Sequence, residues 1–425
     1  MLHCAVIIRF FRFISPVQFK DIIGQEAVKQ QLTELLLHNR LSHALLFLGK
    51  EGSGALPLAI AFAHYVSSIQ VSGQADNGVD SLFNQGASAN IVLPVTGAEA
   101  DAWMQRQESF SKAQALVHPD IHFSYPVITK KSGTPPLSAD YISEWREFIR
   151  QYPYGNVYDW LQFIGAENKQ GNITAQECND IIRKLSLKSF ESGYKILILW
   201  MPEFLGKEGN KLLKLIEEPP PDTLFILVAG NESGILPTIL SRCQLVKVPA
   251  LRAADVENAL IERAKTEPVQ AKRLAAICNG NYREALHLLQ HADEDFGALL
   301  KDWLNATLKN QTIAQVRCIE ELARLGREAQ KQFLAYFTHL LELALRLQLV
   351  GDNEKETLLP GCPPTERELV PRINKVMSLE KQEAITAELD KAAYYIERNA
   401  NSKILFHALS IKMYHIVKNN VVPVV

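Results

Sequence analysis

The most constraining feature of the chain is a glycine-rich segment, Gly49-Lys-Glu-Gly-Ser-Gly54, set between two apolar stretches. The run before it, Ala44-Leu-Leu-Phe-Leu48, reads as a short buried strand, and the stretch after it, Leu58 to Ser67, reads as a helix. Strand, glycine turn and helix in that order form the setting of a phosphate-binding loop. There, backbone amides cradle the phosphates, a Lys reaches the β/γ-phosphates and a Ser or Thr hydroxyl binds Mg²⁺. Gly49, Gly52 and Gly54 keep the cradle. Ala55 and Leu56 stand where the Lys and the hydroxyl belong, Lys50 comes too early to substitute, and Pro57 occupies the first helical turn, where its missing N–H does no harm. The expectation is a degenerate phosphate loop with no metal, and with room at most for weak ATP or ADP binding.

Further short apolar runs follow at His122 to Val127, Lys195 to Leu199, Leu224 to Ala229 and Leu245 to Val248. They lack polar alternation, as strands buried on both faces do, and helical patterns separate most of them. This predicts an α/β domain with a parallel sheet over residues 18–249. A nucleotide hydrolase also needs acidic residues after a buried strand to hold Mg²⁺. After Lys195-Ile-Leu-Ile-Leu199 come Trp200 and Met201, which cannot ligate a hard cation, and Glu203 lies two positions late behind Pro202. Two independent sites have lost their chemistry, so no intrinsic ATPase is expected.

The strand signals stop after Pro249. Residues 250–297 read as a small helical unit and 298–425 as a larger one. There Ile385, Leu389, Ala392, Ala393 and Ile396 share one face, as do Leu405, Leu409, Met413 and Ile416. Inserts are expected near 71–97, rich in Gly, Ser, Asn and Asp, and near 130–171. The second carries Trp145, Tyr152, Tyr154 and Trp160 and reads as an extra helical patch for a partner. Residues 1–17 read as an unstructured extension or a start assigned too early, since Arg9 and Arg12 interrupt the apolar run that a signal peptide needs.

Charge narrows the partners. Lys plus Arg is 45 against 47 Asp plus Glu, a net charge of −2, so phosphate contacts spread over the whole surface are not expected. The six cysteines (Cys4, Cys178, Cys243, Cys278, Cys318, Cys362) include no CxxC pair, which argues against a disulfide framework and a cysteine zinc site and fits a reducing cytoplasm. No apolar run reaches the ~18 residues of a membrane span.

Several segments together resemble the AAA+ clamp-loader family of bacterial DNA polymerase III, and within it the delta-prime type of subunit. They are Phe19-Lys-Asp-Ile-Ile-Gly-Gln25, Ser42-His-Ala-Leu-Leu-Phe-Leu-Gly49, His118-Pro-Asp-Ile-His-Phe123, Asn210-Lys-Leu-Leu-Lys-Leu-Ile-Glu-Glu-Pro-Pro220, Leu236-Pro-Thr-Ile-Leu-Ser-Arg-Cys243 and Arg398-Asn-Ala-Asn-Ser-Lys403. The resemblance implies an AAA+ P-loop-type domain, a helical lid and a C-terminal helical collar for oligomerisation. It also implies a place in a hetero-oligomeric ring with delta and gamma/tau subunits, which loads a sliding clamp on primed DNA. By position, Ser241 and Arg242 match the Ser-Arg-Cys motif, whose arginine acts as a finger in a neighbour's ATP site. Asn231 and Arg283 fall near the two sensor positions and, with the lysine and acids gone, are read as structural. The family's four-cysteine zinc module is missing and no zinc is expected; His64, His118 and His122 lack ligand spacing. Rival readings are an active gamma/tau-like motor and a passive DNA-replication adaptor in which Arg242 is inert.

Overall fold

A computed structural model of the chain describes residues 18–69, 94, 96–130, 133, 135–166, 169–290, 296–349, 364–397 and 400–418. The expected extension (1–17), all but 94, 96 and 97 of the first insert, and Arg398 and Asn399 of the last resembling segment lie outside them.

Five strands form one parallel sheet: β1 (Ala44–Gly49), β2 (Ile121–Ser124), β3 (Lys195–Trp200), β4 (Thr223–Ala229) and β5 (Gln244–Val248), in the order β2-β3-β4-β1-β5. β3 and β4 are buried along their whole lengths, as their unbroken apolar sequences require. Two strands depart from expectation. β2 stops at Ser124 rather than Val127, because Pro126 has no N–H for a ladder; beyond it only an antiparallel bridge, Val127 to Asn172, forms. β5 alternates, with Val246 and Val248 buried and Leu245 and Lys247 exposed, because it is an edge strand.

Side chains leave the sheet alternately on two faces. Leu45, Phe47, Ile196, Ile198, Ile226 and Val228 pack on the helix Ala55–Ser67, which is buried on every side. Leu46, Leu197, Leu199, Phe225 and Leu227 pack on the helix Ala175–Leu185 and the helical segment Pro202–Leu212.

The second insert joins the first of these cores. Its helices Ile142–Gln151 and Val157–Phe163 bury Trp145 and Trp160 completely. Tyr125 stacks on Trp145 at 3.9 Å between centroids, and Trp145 lies 5.1 Å from Trp200. The expected partner patch is therefore core: these aromatics cover the sheet, and little of them is left outside.

The chain packs as two compact units, one comprising residues up to Lys265 with Asn279–Arg283, the other Thr266–Cys278 with Glu284 onward. The second unit is helical among its described residues. Ile385, Leu389, Ala392 and Ile396 of Leu379–Glu397, and Leu409, Met413 and Ile416 of Ser402–Lys418, form its core, as their spacing predicts. Buried Trp303 donates its indole N–H to Ser410 Oγ at 2.9 Å. Among the described residues no helix is long and apolar enough to cross a membrane.

Candidate functional site

Gly49, Gly52 and Gly54 come together in the turn between β1 and the helix Ala55–Ser67. Gly52 and Gly54 adopt left-handed backbone (φ +68 and +88), which other residues take only under strain. What lies against them is the chain itself. A Cβ on Gly52 would fall 1.9 Å from Asn281 Oδ1, and one on Gly54 would fall 2.9 Å from the Tyr154 ring. Tyr154 is anchored there. Its hydroxyl accepts from Ile23 N–H at 2.8 Å, its ring meets Tyr282 edge-on at 5.1 Å, and burial pushes its phenol up to about 12.

The cavity that remains is about 60 Å³, bordered by the loop, Pro153 to Asn156, Trp200, Met201 and Gly230. That is room for a few waters, against the several hundred Å³ of a small-molecule site. Ala55 and Leu56 are buried apolar groups at the helix start, and Lys50 is exposed. Ser53 Oγ is buried without a hydrogen-bond partner, but it lies against Gly49 and does not line the cavity. The side chains at 55 and 56 do not fit a Mg²⁺-nucleotide: both the charge and the hydroxyl are missing there.

Some of the loop's polar partners come from the second insert, while Gln25 Nε2 donates to Ser53 O at 3.0 Å and Tyr282 N–H to Gly52 O at 3.3 Å. Asn156 opens the helix Val157–Phe163 with a capping box, its Oδ1 accepting from Asp159 N–H and its own N–H donating to Asp159 Oδ2, both at 3.0 Å. Asn156 Nδ2 also donates to Glu51 Oε1 at 3.0 Å. Arg283 grips Asp159 side-on, Nη2 to Oδ1 at 2.7 Å and Nε to Oδ2, and lies 3.9 Å from Glu51. The pair is buried, with side chains 6% and 9% exposed. Arg283 thus faces carboxylates of its own chain.

At the end of β3, Trp200 is buried and Met201 takes left-handed backbone (φ 57). Glu203 turns away to accept from Gly230 and Asn231 N–H at 2.8 and 2.9 Å. Its Oε2 is buried without a partner, and burial raises its pKa against the lowering effect of those amides. Asn231 Oδ1 accepts from Ser233 N–H and Oγ–H. Among the described residues no cluster of three or more His, Cys, Asp or Glu could hold a metal ion.

Arg242 and Ser241 are not at this loop. Register pairs Gly49 with Val248 and Leu45 with Gln244, so the loop lies at the carboxyl end of the sheet and Arg242 before its amino end. At ~3.3 Å per residue the two are separated by roughly 20 Å. Arg242 is 34% exposed and its guanidinium is engaged: Nε and Nη2 bind Glu217 Oε1, Nε at 2.6 Å, while Nη1 donates to Thr238 O at 2.7 Å and Ser241 Oγ at 3.2 Å.

Sequence reasoning missed Tyr154, Asn156, Asp159, Asn281 and Glu217 as neighbours of these residues. Only the Asn-x-x-Asp capping pattern at 156–159 was locally visible.

A family model described as "DNA polymerase III, delta subunit" matches residues 108–252. The chain is 26% identical over 264 residues to the DNA polymerase III subunit delta' of Bacillus subtilis, covering 62% of this chain and 59% of that protein. It is 23% identical over 297 residues to the subunit tau of the same organism, covering 68% and 40%. It is 32% identical over 164 residues to the subunit gamma of Buchnera aphidicola subsp. Schizaphis graminum, covering 37% and 42%. The chain therefore spans about half the length of these relatives.

Proposed function

We propose that the chain is a clamp-loader AAA+ protein and, within that family, a non-hydrolysing, delta-prime-like subunit of a DNA polymerase III clamp loader, a reading supported by its similarity to delta', tau and gamma subunits. It completes a hetero-oligomeric ring with delta and gamma/tau subunits, and the ring loads the sliding clamp on primed DNA. The helices over 298–425 serve as the collar of that ring, and residues 250–297 as the lid.

One observation carries the reading: a glycine loop packed on Tyr154 and Asn281 where its Cβ atoms would stand, with Ala55 and Leu56 where the charge and hydroxyl belong. Such a loop has kept the backbone of a phosphate cradle without the side chains that charge it. An active motor is disfavoured by the same residues and by Trp200 and Met201. Arg242, at the other end of the sheet, cannot reach its own chain's loop, and in this reading it acts on a neighbour. A guanidinium there stabilises charge building on the transferred phosphoryl, an effect worth roughly 10³ to 10⁵ in rate in measured GTPases.

The test is ATPase activity of the purified chain, alone and then mixed with delta and gamma/tau subunits, clamp and primed DNA. The chain alone should be silent and the mixture active, with Arg242→Ala depressing turnover in the mixture. Turnover by the chain alone would move it to the motors. Full activity of the Arg242→Ala mixture would leave it a passive adaptor.

A further inference from the structure

Resting on that reading of Arg242, we infer that Glu217 holds the Arg242 guanidinium in a parked state, and that a neighbour's nucleotide phosphate releases it by displacing the carboxylate. The Nε/Nη2 edge of a guanidinium is one of the edges with which it grips a carboxylate or a phosphate side-on. In this chain that edge is on Glu217 Oε1, while Nη1 is turned to Thr238 O and Ser241 Oγ. An arginine in this state has few donors left for a phosphate until Glu217 lets go.

Glu217 is not there for its own helix. It ends Leu213–Glu217, where the carbonyl dipoles disfavour a negative side chain. Behind it the Pro219-Pro220 pair forces Glu218 out of helical backbone (φ −125, ψ 70), which fixes where the helix stops and where Glu217 stands.

The chain contains a contrasting pair. Arg283 and Asp159 are 6% and 9% exposed, a permanent tie; Arg242 and Glu217 are 34% and 44% exposed, so water competes for both. Ion pairs of the exposed kind are weak. A phosphate carrying more than one charge, approaching the open side, is the stronger partner for the same edge. Ser241 Oγ accepts from Nη1 and itself donates to Thr238 O at 3.2 Å, which steadies the guanidinium's other edge and leaves rotation about the terminal torsions as the route of release.

The experiment has two arms on the full chain. First, the isolated protein is labelled with phenylglyoxal and Arg242 modification is followed by peptide mass spectrometry, for wild type and Glu217→Gln. Removing the charge should speed labelling of Arg242 about 1.4- to 5-fold, the range an exposed pair is worth, with Arg283 labelling unchanged. Equal rates at Arg242 would overturn the parked state. Second, DNA-free ATPase is measured in the mixture with delta and gamma/tau subunits, where Glu217→Gln and Glu217→Ala should raise turnover by a similar factor. Faster labelling with unchanged turnover, while Arg242→Ala still lowers it, would overturn release as a control step. No effect of Arg242→Ala would sink the trans role itself and this inference with it.

Discussion

Asp159→Ala is the most informative single change in the first unit. It removes the carboxylate that Arg283 grips through Nε and Nη2, in a pair only 6% and 9% exposed, and leaves a nearly buried guanidinium without that carboxylate. Breaking a buried pair from one side costs about 3–5 kcal/mol. Glu51, 3.9 Å from Arg283 and 41% exposed, can follow the charge and offset part of that. The lost Asn156 N–H acceptor in the capping box adds back roughly 1 kcal/mol. The expected net loss is about 3 kcal/mol, read by urea unfolding followed through tryptophan fluorescence, with the midpoint falling and the slope unchanged. The double variant Asp159→Ala/Arg283→Met removes the stranded charge as well and should recover at least ~1 kcal/mol over the single. A single-variant loss below ~1 kcal/mol, or a double variant worse than the single, would refute a buried charge pair as the tie between the second insert and the segment Asn279–Arg283.

Two pH effects follow. Burial raises the Glu203 pKa above its unfolded value near 4.5, so the folded state holds the proton more tightly and the group's contribution to stability falls as pH rises through that raised value. Glu203→Gln keeps an acceptor for the Gly230 and Asn231 amides without the buried charge; it should be about 1 kcal/mol more stable than wild type at pH 7, a gain that vanishes near pH 4 in denaturation curves. His339, in the second unit, is pushed down to about 4 by burial and by Arg273 and Arg346, so the unfolded chain takes up the proton first and stability is lost as pH falls from 6.5 toward 4. His339→Leu should flatten that part of the stability profile measured by thermal unfolding; an unchanged slope would mean another group titrates there.

Features that depend on neighbours along the chain were legible before any fold was seen. Unbroken apolar runs marked β1, β3 and β4 because a strand covered on both faces has no place for polar residues. The stripes at Ile385 to Ile396 and Leu409 to Ile416 marked helix faces because period alone decides which residues share a side. Ala55, Leu56, Trp200 and Met201 set the expectation of lost chemistry because their side chains offer neither a charge for phosphate nor a hard oxygen for Mg²⁺. Tertiary structure decided what occupies the space between such elements. Glycines at 52 and 54 declare a backbone that something approaches closely, and they are silent on whether it is a phosphate or, as here, Asn281 and Tyr154. The aromatic helices of the second insert fit a surface patch as well as a core until the sheet face beside Trp200 is seen to need covering. Arg283 meets Asp159 across 124 residues, and Arg242 meets Glu217 across 25. Periodicity cannot foresee such pairs, because they exist only once the sheet order has brought distant loops to one place.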